Sequence, residues 1–289
     1  MTANIMSGGP VAEAVLDDVT KRVARLADTG ESVGLATVLV GDDPASAGYV
    51  AKKHEACERV GIVSVDVRIP ADRTQDDLLE ALAQLNADPA IDGYIVQHPV
   101  PSGFDFNQAV SAMDPAKDAD GLHPTNLGLL ALGQRGAPRP CTPIGIQAML
   151  LHYGIDVSGK RMVIVGRGPT LGRPLSMLMS LKEPGANAAV TVVHTGVPDW
   201  RDITRQADIV VGAAGVPNMI TPEVIGPGSV VIGGGMSWQG RRALSDVDES
   251  CAEVAGWVTP RLGGVGVTTV AMLLRNTVAA AERRAGILS

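Results

Sequence analysis

Residues 160–179 read KRMVIVGRGPTLGRPLSMLM. An apolar run from Met162 to Val165 meets Gly166, Arg167 and Gly168, then Gly172 and Pro174, and a helical pattern follows. A strand that turns into a helix through glycines lets backbone N–H groups approach a phosphate, and the helix N-terminus adds partial positive charge. The spacing here is G-x-G-x-x-x-G rather than G-x-G-x-x-G. On spacing alone it reads either as a dinucleotide-binding turn or as a tight strand–helix turn with no ligand. The pattern G-x-x-x-x-G-K-[ST] is missing, which argues against a P-loop nucleotide hydrolase. The next strand closes on His194, Thr195 and Gly196, with no acidic residue for a ribose 2′-hydroxyl. Arg167 and Thr195 are candidates to hold a 2′-phosphate instead, which favours NADP over NAD.

Working outward, short β-branched runs alternate with helical stretches. Candidate strands lie at 32–40, 63–69, 93–98, 161–166, 189–194, 208–213 and 229–234. Helical patterns follow Asp43, Thr74 and Leu171. Parallel strands need a crossover that a helix supplies, so the alternation predicts an α/β fold with parallel sheets. Runs such as VIVG and IVVG suit strands covered on both faces. A domain boundary falls near PRPCTP (138–143), with Thr142 as N-cap and Pro143 at the first helical position. A second junction is the loop Gly263–Gly266, after which VTTVAMLLRNTVAAAERR (267–284) reads as a long final helix.

The composition narrows the function. A chain of 289 residues fits two domains, and 45% hydrophobic with 19% charged residues excludes disorder as the main state. A net charge of −7 and only 3% aromatics argue against nucleic-acid binding. No apolar run approaches the roughly 18 residues of a membrane span, and MTANIMSGGPVAEAVLDD does not read as a secretory signal. Cys57, Cys141 and Cys251 are isolated, as suits a reducing cytoplasm, and the five histidines show no H-E-x-x-H spacing. A bound metal is not expected.

Three polar groups stand out. In GDDPASAGYVAKKHEACERVG (41–61), Tyr49 and Lys53 are four apart and share a helix face. A lysine beside an aromatic ring and partly out of water is suited to proton exchange near neutrality, although the spacing equally allows an exposed lysine beside a packed tyrosine. Gln97 and His98 end a buried strand in DGYIVQHPVP (92–101), where carboxyl ends of parallel strands face ligands. The loop DPAKDADGLHPTNLG (114–128) holds Asp118 and Asp120. Asp118 reads as turn chemistry, and Asp120 as either a turn residue or a carboxylate for the N–H donors of a heterocycle.

Together, VGDDPASAGYVAKKHEACERVGI, DGYIVQHPVP, PAKDADGLHPTNLG, PCTPIG, VIVGRGPTLGRP and GGVGVTTVAMLLRNT resemble, in order, the bifunctional methylenetetrahydrofolate dehydrogenase/cyclohydrolase family. The resemblance implies two lobes, each a three-layer α/β unit. A folate-binding catalytic domain would span 1–141, joined by the final helix 267–289, and a Rossmann-like NADP domain would span 142–266. It implies that Lys53 serves the cyclohydrolase proton transfers, that Gln97 tunes it by hydrogen bonding and that Tyr49 stacks on the folate. Asp120 would anchor the pterin, Pro99 would contact the substrate, and Gly263 and Gly264 would help close the folate cleft. Gly166, Arg167, Gly168, Gly172, Thr195 and Met236 would hold the cofactor.

The chain departs from the family pattern in places. Gly168 replaces a serine, Thr195 stands where a serine is usual, and His98 replaces a leucine. GGGMSW (233–238) replaces a D-V-G-I-N stretch, and GGVGVTT replaces GGVGPMT. The expected function is oxidation of 5,10-methylenetetrahydrofolate with NADP+, NAD being the alternative, followed by hydrolysis to 10-formyltetrahydrofolate in one-carbon metabolism. A cytoplasmic homodimer that binds neither nucleic acid nor membrane, and feeds purine biosynthesis, completes the expectation. A monofunctional dehydrogenase of the same fold and a non-catalytic dinucleotide-binding module are the alternatives.

Overall fold

A computed structural model describes residues 2–240 and 242–287, apart from the side chain of Ala45. The elements run β1 (Asn4–Ile5), α1 (Gly9–Asp28), β2 (Gly34–Val40), α2 (Pro44–Val60), β3 (Val63–Ile69), α3 (Gln75–Ala87), β4 (Gly93–Val96), α4 (Phe106–Ser111), α5 (Pro124–Ala131) and α6 (Cys141–His152). They continue β5 (Arg161–Val165), α7 (Gly172–Met179), β6 (Ala189–Val193), α8 (Trp200–Arg205), β7 (Ile209–Gly212), β8 (Val230–Gly233), β9 (Met236–Gln239), β10 (Arg242–Ser245), β11 (Trp257–Val258) and α9 (Val265–Arg284). The chain divides into two units. One comprises Glu13–Arg139 and the chain from Val270 onward; the other comprises the residues up to Ala12 and Pro140–Thr269.

The first unit is built on a three-stranded parallel sheet in the order β3-β2-β4. β2, GLATVLV, has no charged residue and is buried along its whole length, as a central strand covered on both faces must be. β3 lies at the edge and is partly exposed. The helices start where local chemistry dictates. The Asp43 carboxylate accepts from Ser46 N at 2.8 Å ahead of Pro44, and α2 ends at Gly61 in the left-handed conformation (φ +81°). Thr74 and Asp77 form a reciprocal capping box at α3. Val38, Leu78, Leu82 and Tyr94 meet in the core of this unit.

The second unit carries a six-stranded parallel sheet in the order β1-β11-β8-β7-β5-β6. From β5 the chain adds β6 on one side and then returns to place β7 on the other. The order therefore reverses at β5, the switch point where open α/β sheets bind ligands. Val163, Val210, Val231 and Trp200 lie in its core.

Three features differ from the sequence reading. The first strand pairs with β11, so residues up to Ala12 belong with the six-stranded unit and not with the segment 1–141; Ala3, Asn4 and Met6 bond to the backbone of 252–258. Helix α6 begins at Cys141 after Pro140, with Thr142 inside its first turn, not at the N-cap. Pro143 is tolerated there because first-turn N–H groups have no intrahelical partner. Finally, GGGMSW leads into an antiparallel hairpin, β9–β10, that period-2 reasoning did not mark.

Candidate functional site

In the three-stranded unit, the polar residues gather where β4 ends. Gln97 follows β4 directly, and its backbone N–H donates to Val38 O at 2.8 Å, which pins it to the central strand. Its side-chain Nε2 donates to His98 O at 2.7 Å. That bond fixes the amide orientation and leaves Oε1 to accept. Lys53 Nζ donates to Oε1 at 2.7 Å. A lysine on a capped helix and a glutamine on a buried strand are thus held as one unit.

Tyr49, one turn earlier on α2, is half-buried, and burial raises its phenol pKa. Lys52 Nζ stands over its ring, 5.9 Å from the centroid, and Lys53 reaches Gln97. His98 packs edge-on against Phe106 with centroids 4.9 Å apart, and burial pushes its imidazole pKa down. Pro99 beside it is exposed.

The two aspartates of the loop after α4 differ sharply. Asp118 is buried, and its carboxylate accepts from the N–H groups of Gly121, Leu122 and His123 and from Asn126 Nδ2, at 2.7–3.2 Å. Four donors spend it on holding the loop. Asp118 also bridges Tyr94 in parallel register. Asp120, half-buried, lies in the turn that directly follows this bridge.

In the six-stranded unit, Gly166 takes φ +125°, and a Cβ there would collide with Ala213 O. A Cβ on Gly172 would collide with Gly166 O. Both positions require glycine because backbone passes where a side chain would begin. Helix α7 opens at Leu171 with no side-chain cap; Arg173 N turns back to Gly168 O at 3.1 Å, and Pro174 has no N–H to satisfy. Strands β5 and β6 pair Val165 with Val193. Arg167 and Thr195 each lie two residues beyond that pair in the chain, in the turns that leave the two strands, and both are exposed. A glycine turn from strand to helix, with an exposed cation and an exposed hydroxyl on the turns that leave β5 and β6, suits a dinucleotide that carries an extra phosphate.

Met236 begins β9, and its carbonyl lies 3.9 Å from where a Gly215 Cβ would stand. Gly263 (φ +73°) and Gly264 immediately precede α9 in this same unit, where Gly8 N donates to Gly263 O at 2.8 Å. Sequence reasoning passed over Asp246, a fully buried carboxylate bonded to the loop after β7. Its partner Ala214 is 32 residues away, and no local spacing marks such a pairing. Among the described residues, no helix is long and apolar enough to cross a membrane.

Residues 6–120 match the family profile of the tetrahydrofolate dehydrogenase/cyclohydrolase catalytic domain, and residues 140–285 that of the corresponding NAD(P)-binding domain. The bifunctional protein FolD of Syntrophotalea carbinolica is 61% identical over 285 residues, covering 99% of this chain and 98% of the relative. Bifunctional protein FolD 1 of Salinispora tropica is 56% identical over 281 residues, covering 97% and 92%. Among solved structures, the Trypanosoma brucei N5,N10-methylenetetrahydrofolate dehydrogenase-cyclohydrolase, complexed with NADP cofactor and inhibitor, superposes with a TM-score of 0.92. It is 36% identical, with 99% of each chain covered.

Proposed function

The chain belongs to the tetrahydrofolate dehydrogenase/cyclohydrolase family, and from that premise we propose how its residues divide the work. The enzyme is bifunctional. It oxidises 5,10-methylenetetrahydrofolate to the 5,10-methenyl form with NADP+, then hydrolyses that product to 10-formyltetrahydrofolate.

The cofactor, when bound, supplies the hydride acceptor. Gly166, Gly168 and Gly172 give its phosphates close access to backbone N–H groups, and Arg167 with Thr195 receives the 2′-phosphate. Met236 borders the same seat. Tyr49 stacks on the folate, Asp120 accepts from the pterin N–H groups, and Pro99 contacts the same substrate.

In the hydrolytic step, water adds to the electron-poor carbon between two nitrogens. A proton must leave that water, and one must reach the departing nitrogen as the ring opens. Lys53 carries this proton traffic, and Gln97 sets the position of Nζ. The observation that carries the reading is the 2.7 Å bond from Lys53 Nζ to Gln97 Oε1, with the amide oriented by His98 O.

The proposal extends to a homodimer working in the cytoplasm, where 10-formyltetrahydrofolate feeds purine biosynthesis. Three free, buried cysteines support a reducing compartment.

The Lys53→Met variant tests the assignment. Hydrolysis of the methenyl substrate, followed by loss of its absorbance, is expected to fall at least ~100-fold, the usual contribution of a proton-transferring side chain. NADPH formation from the methylene substrate should persist. Hydrolysis at the parent rate would remove Lys53 from the mechanism.

A further inference from the structure

One buried charge, Asp246, has no part in the scheme above. It follows β10 and is fully buried. Its carboxylate Oδ2 accepts from Ala214 N at 2.7 Å and Gly215 N at 3.1 Å, in the loop that leaves β7. Its own N–H donates to Gly235 O at 3.2 Å, in the loop that leaves β8, and its carbonyl accepts from Ile220 N at 2.8 Å. The two loops are also joined directly, since Gly234 N and Gly235 N both donate to Gly212 O at 2.9 Å.

Glycines make room for this carboxylate. A Cβ on Gly235 would collide with it, and one on Gly212 would stand 2.7 Å from Asp246 Cβ. The loops so tied abut the cofactor turn: Ala213 O closes against Gly166, and Gly215 faces Met236 O. Burial pushes the Asp246 carboxyl pKa up while the backbone N–H groups of 214–216 pull it down. Among the described residues its Oδ1 is buried with no hydrogen-bond partner. A carboxylate so placed is costly to bury, and packing alone would be met by an apolar residue.

We propose that Asp246 is a positioning residue of the dehydrogenase reaction, clamping the loops after β7 and β8 into the shape of the cofactor seat. It acts through Ala214, Gly215 and Gly235, not on the reacting atoms. The inference rests on the reading of the Gly166–Gly172 turn as that seat.

Two variants test it in the full chain. Asp246→Asn keeps the shape and one acceptor oxygen but removes the charge. Gly235→Ala keeps the charge but displaces the carboxylate. For both, the Kd of NADPH from fluorescence titration and the KM for NADP+ should rise about tenfold, the equivalent of one hydrogen bond to a charged group. The KM for the folate substrate and the cofactor-free hydrolysis of the methenyl substrate should stay within about twofold of the parent, since a tie inside this unit leaves Lys53 and Gln97 untouched. Equal loss of both activities would make Asp246 a general structural prop and overturn the proposal, as would unchanged NADPH binding in both variants. Arg167→Ala separates the two layers of the argument. If it too leaves NADPH binding unchanged, the seat itself is misassigned and the proposal falls with it. If it weakens binding while the other two do not, only the role of Asp246 fails.

Discussion

A Cβ added at Gly168 would meet no atom within 4 Å, whereas one at Gly166 or Gly172 would run into backbone. The three glycines of one turn therefore serve different ends. Gly166 and Gly172 are demanded by the fold, while Gly168 only leaves space at the start of α7. The family usually has serine there, and nothing in this chain's packing forbids it. Gly168→Ser should keep the melting temperature and lower the KM for NADP+ about fivefold, one added hydrogen bond being worth ~1 kcal/mol. Steady-state kinetics with NADP+ and with NAD+ check this, and a higher KM for NADP+ would show the hydroxyl in the wrong place. The aspartates of the 114–128 loop show the same division of labour. Asp118 and Asp120 are both part of KDADG, and the sequence distinguishes them only by turn chemistry. Four donors on Asp118 take it out of reach of a ligand.

Elements follow local rules up to the point where one must pack on another. Helices α2, α3 and α7 begin directly after Asp43, Thr74 and Leu171, where N-caps and proline or glycine signals stand in the sequence. Helix α6 does not obey its local signal, because its start answers to α9 as well. Thr142 Oγ1 accepts from Thr269 Oγ1 at 3.2 Å, and Gly145 lies so close to Thr268 that a Cβ would collide with its hydroxyl and stand 3.1 Å from its Cβ. Gly145→Ala should therefore destabilise the protein by ~1–3 kcal/mol through overpacking, although alanine is the better helix former. Denaturant unfolding measures the change, and a gain in stability would mean that α6 and α9 yield freely. The β9–β10 hairpin escaped the sequence reading for a related reason. MSWQ and RALS carry no clean alternation, and the hairpin is held in part by Asp246, which lies beyond it in the chain.

At the scale of the whole molecule, both units bury thiols. Burial pushes Cys57, in the three-stranded unit, up to about 11, and Cys251, in the six-stranded unit, up to about 12. An unfolded cysteine ionises near ~8.5, so the folded state disfavours the thiolate. The sign follows. The contribution is fully present below the unfolded value and is lost as pH rises toward the folded values, by about 3 kcal/mol for Cys57 and about 5 kcal/mol for Cys251. The melting temperature should therefore drop steeply between pH 9 and pH 11. The pair Cys57→Ala and Cys251→Ser should flatten that drop, the serine keeping the bond that Cys251 donates to Ile220 O. An unchanged slope in the double variant would refute the account. As to origins, the amino-acid order by itself determined the parallel α/β class, most strand centres, the starts of α2, α3 and α7 and the glycine turn, because caps, alternation and tight turns depend on residues a few positions apart. Only the tertiary structure decided that Lys53 meets Gln97 across 44 residues, that Asp246 clamps Ala214, and that the first strand joins the six-stranded sheet. Many pairings share the same local pattern, and the choice among them is made by which surfaces close-pack and which buried polar groups find partners.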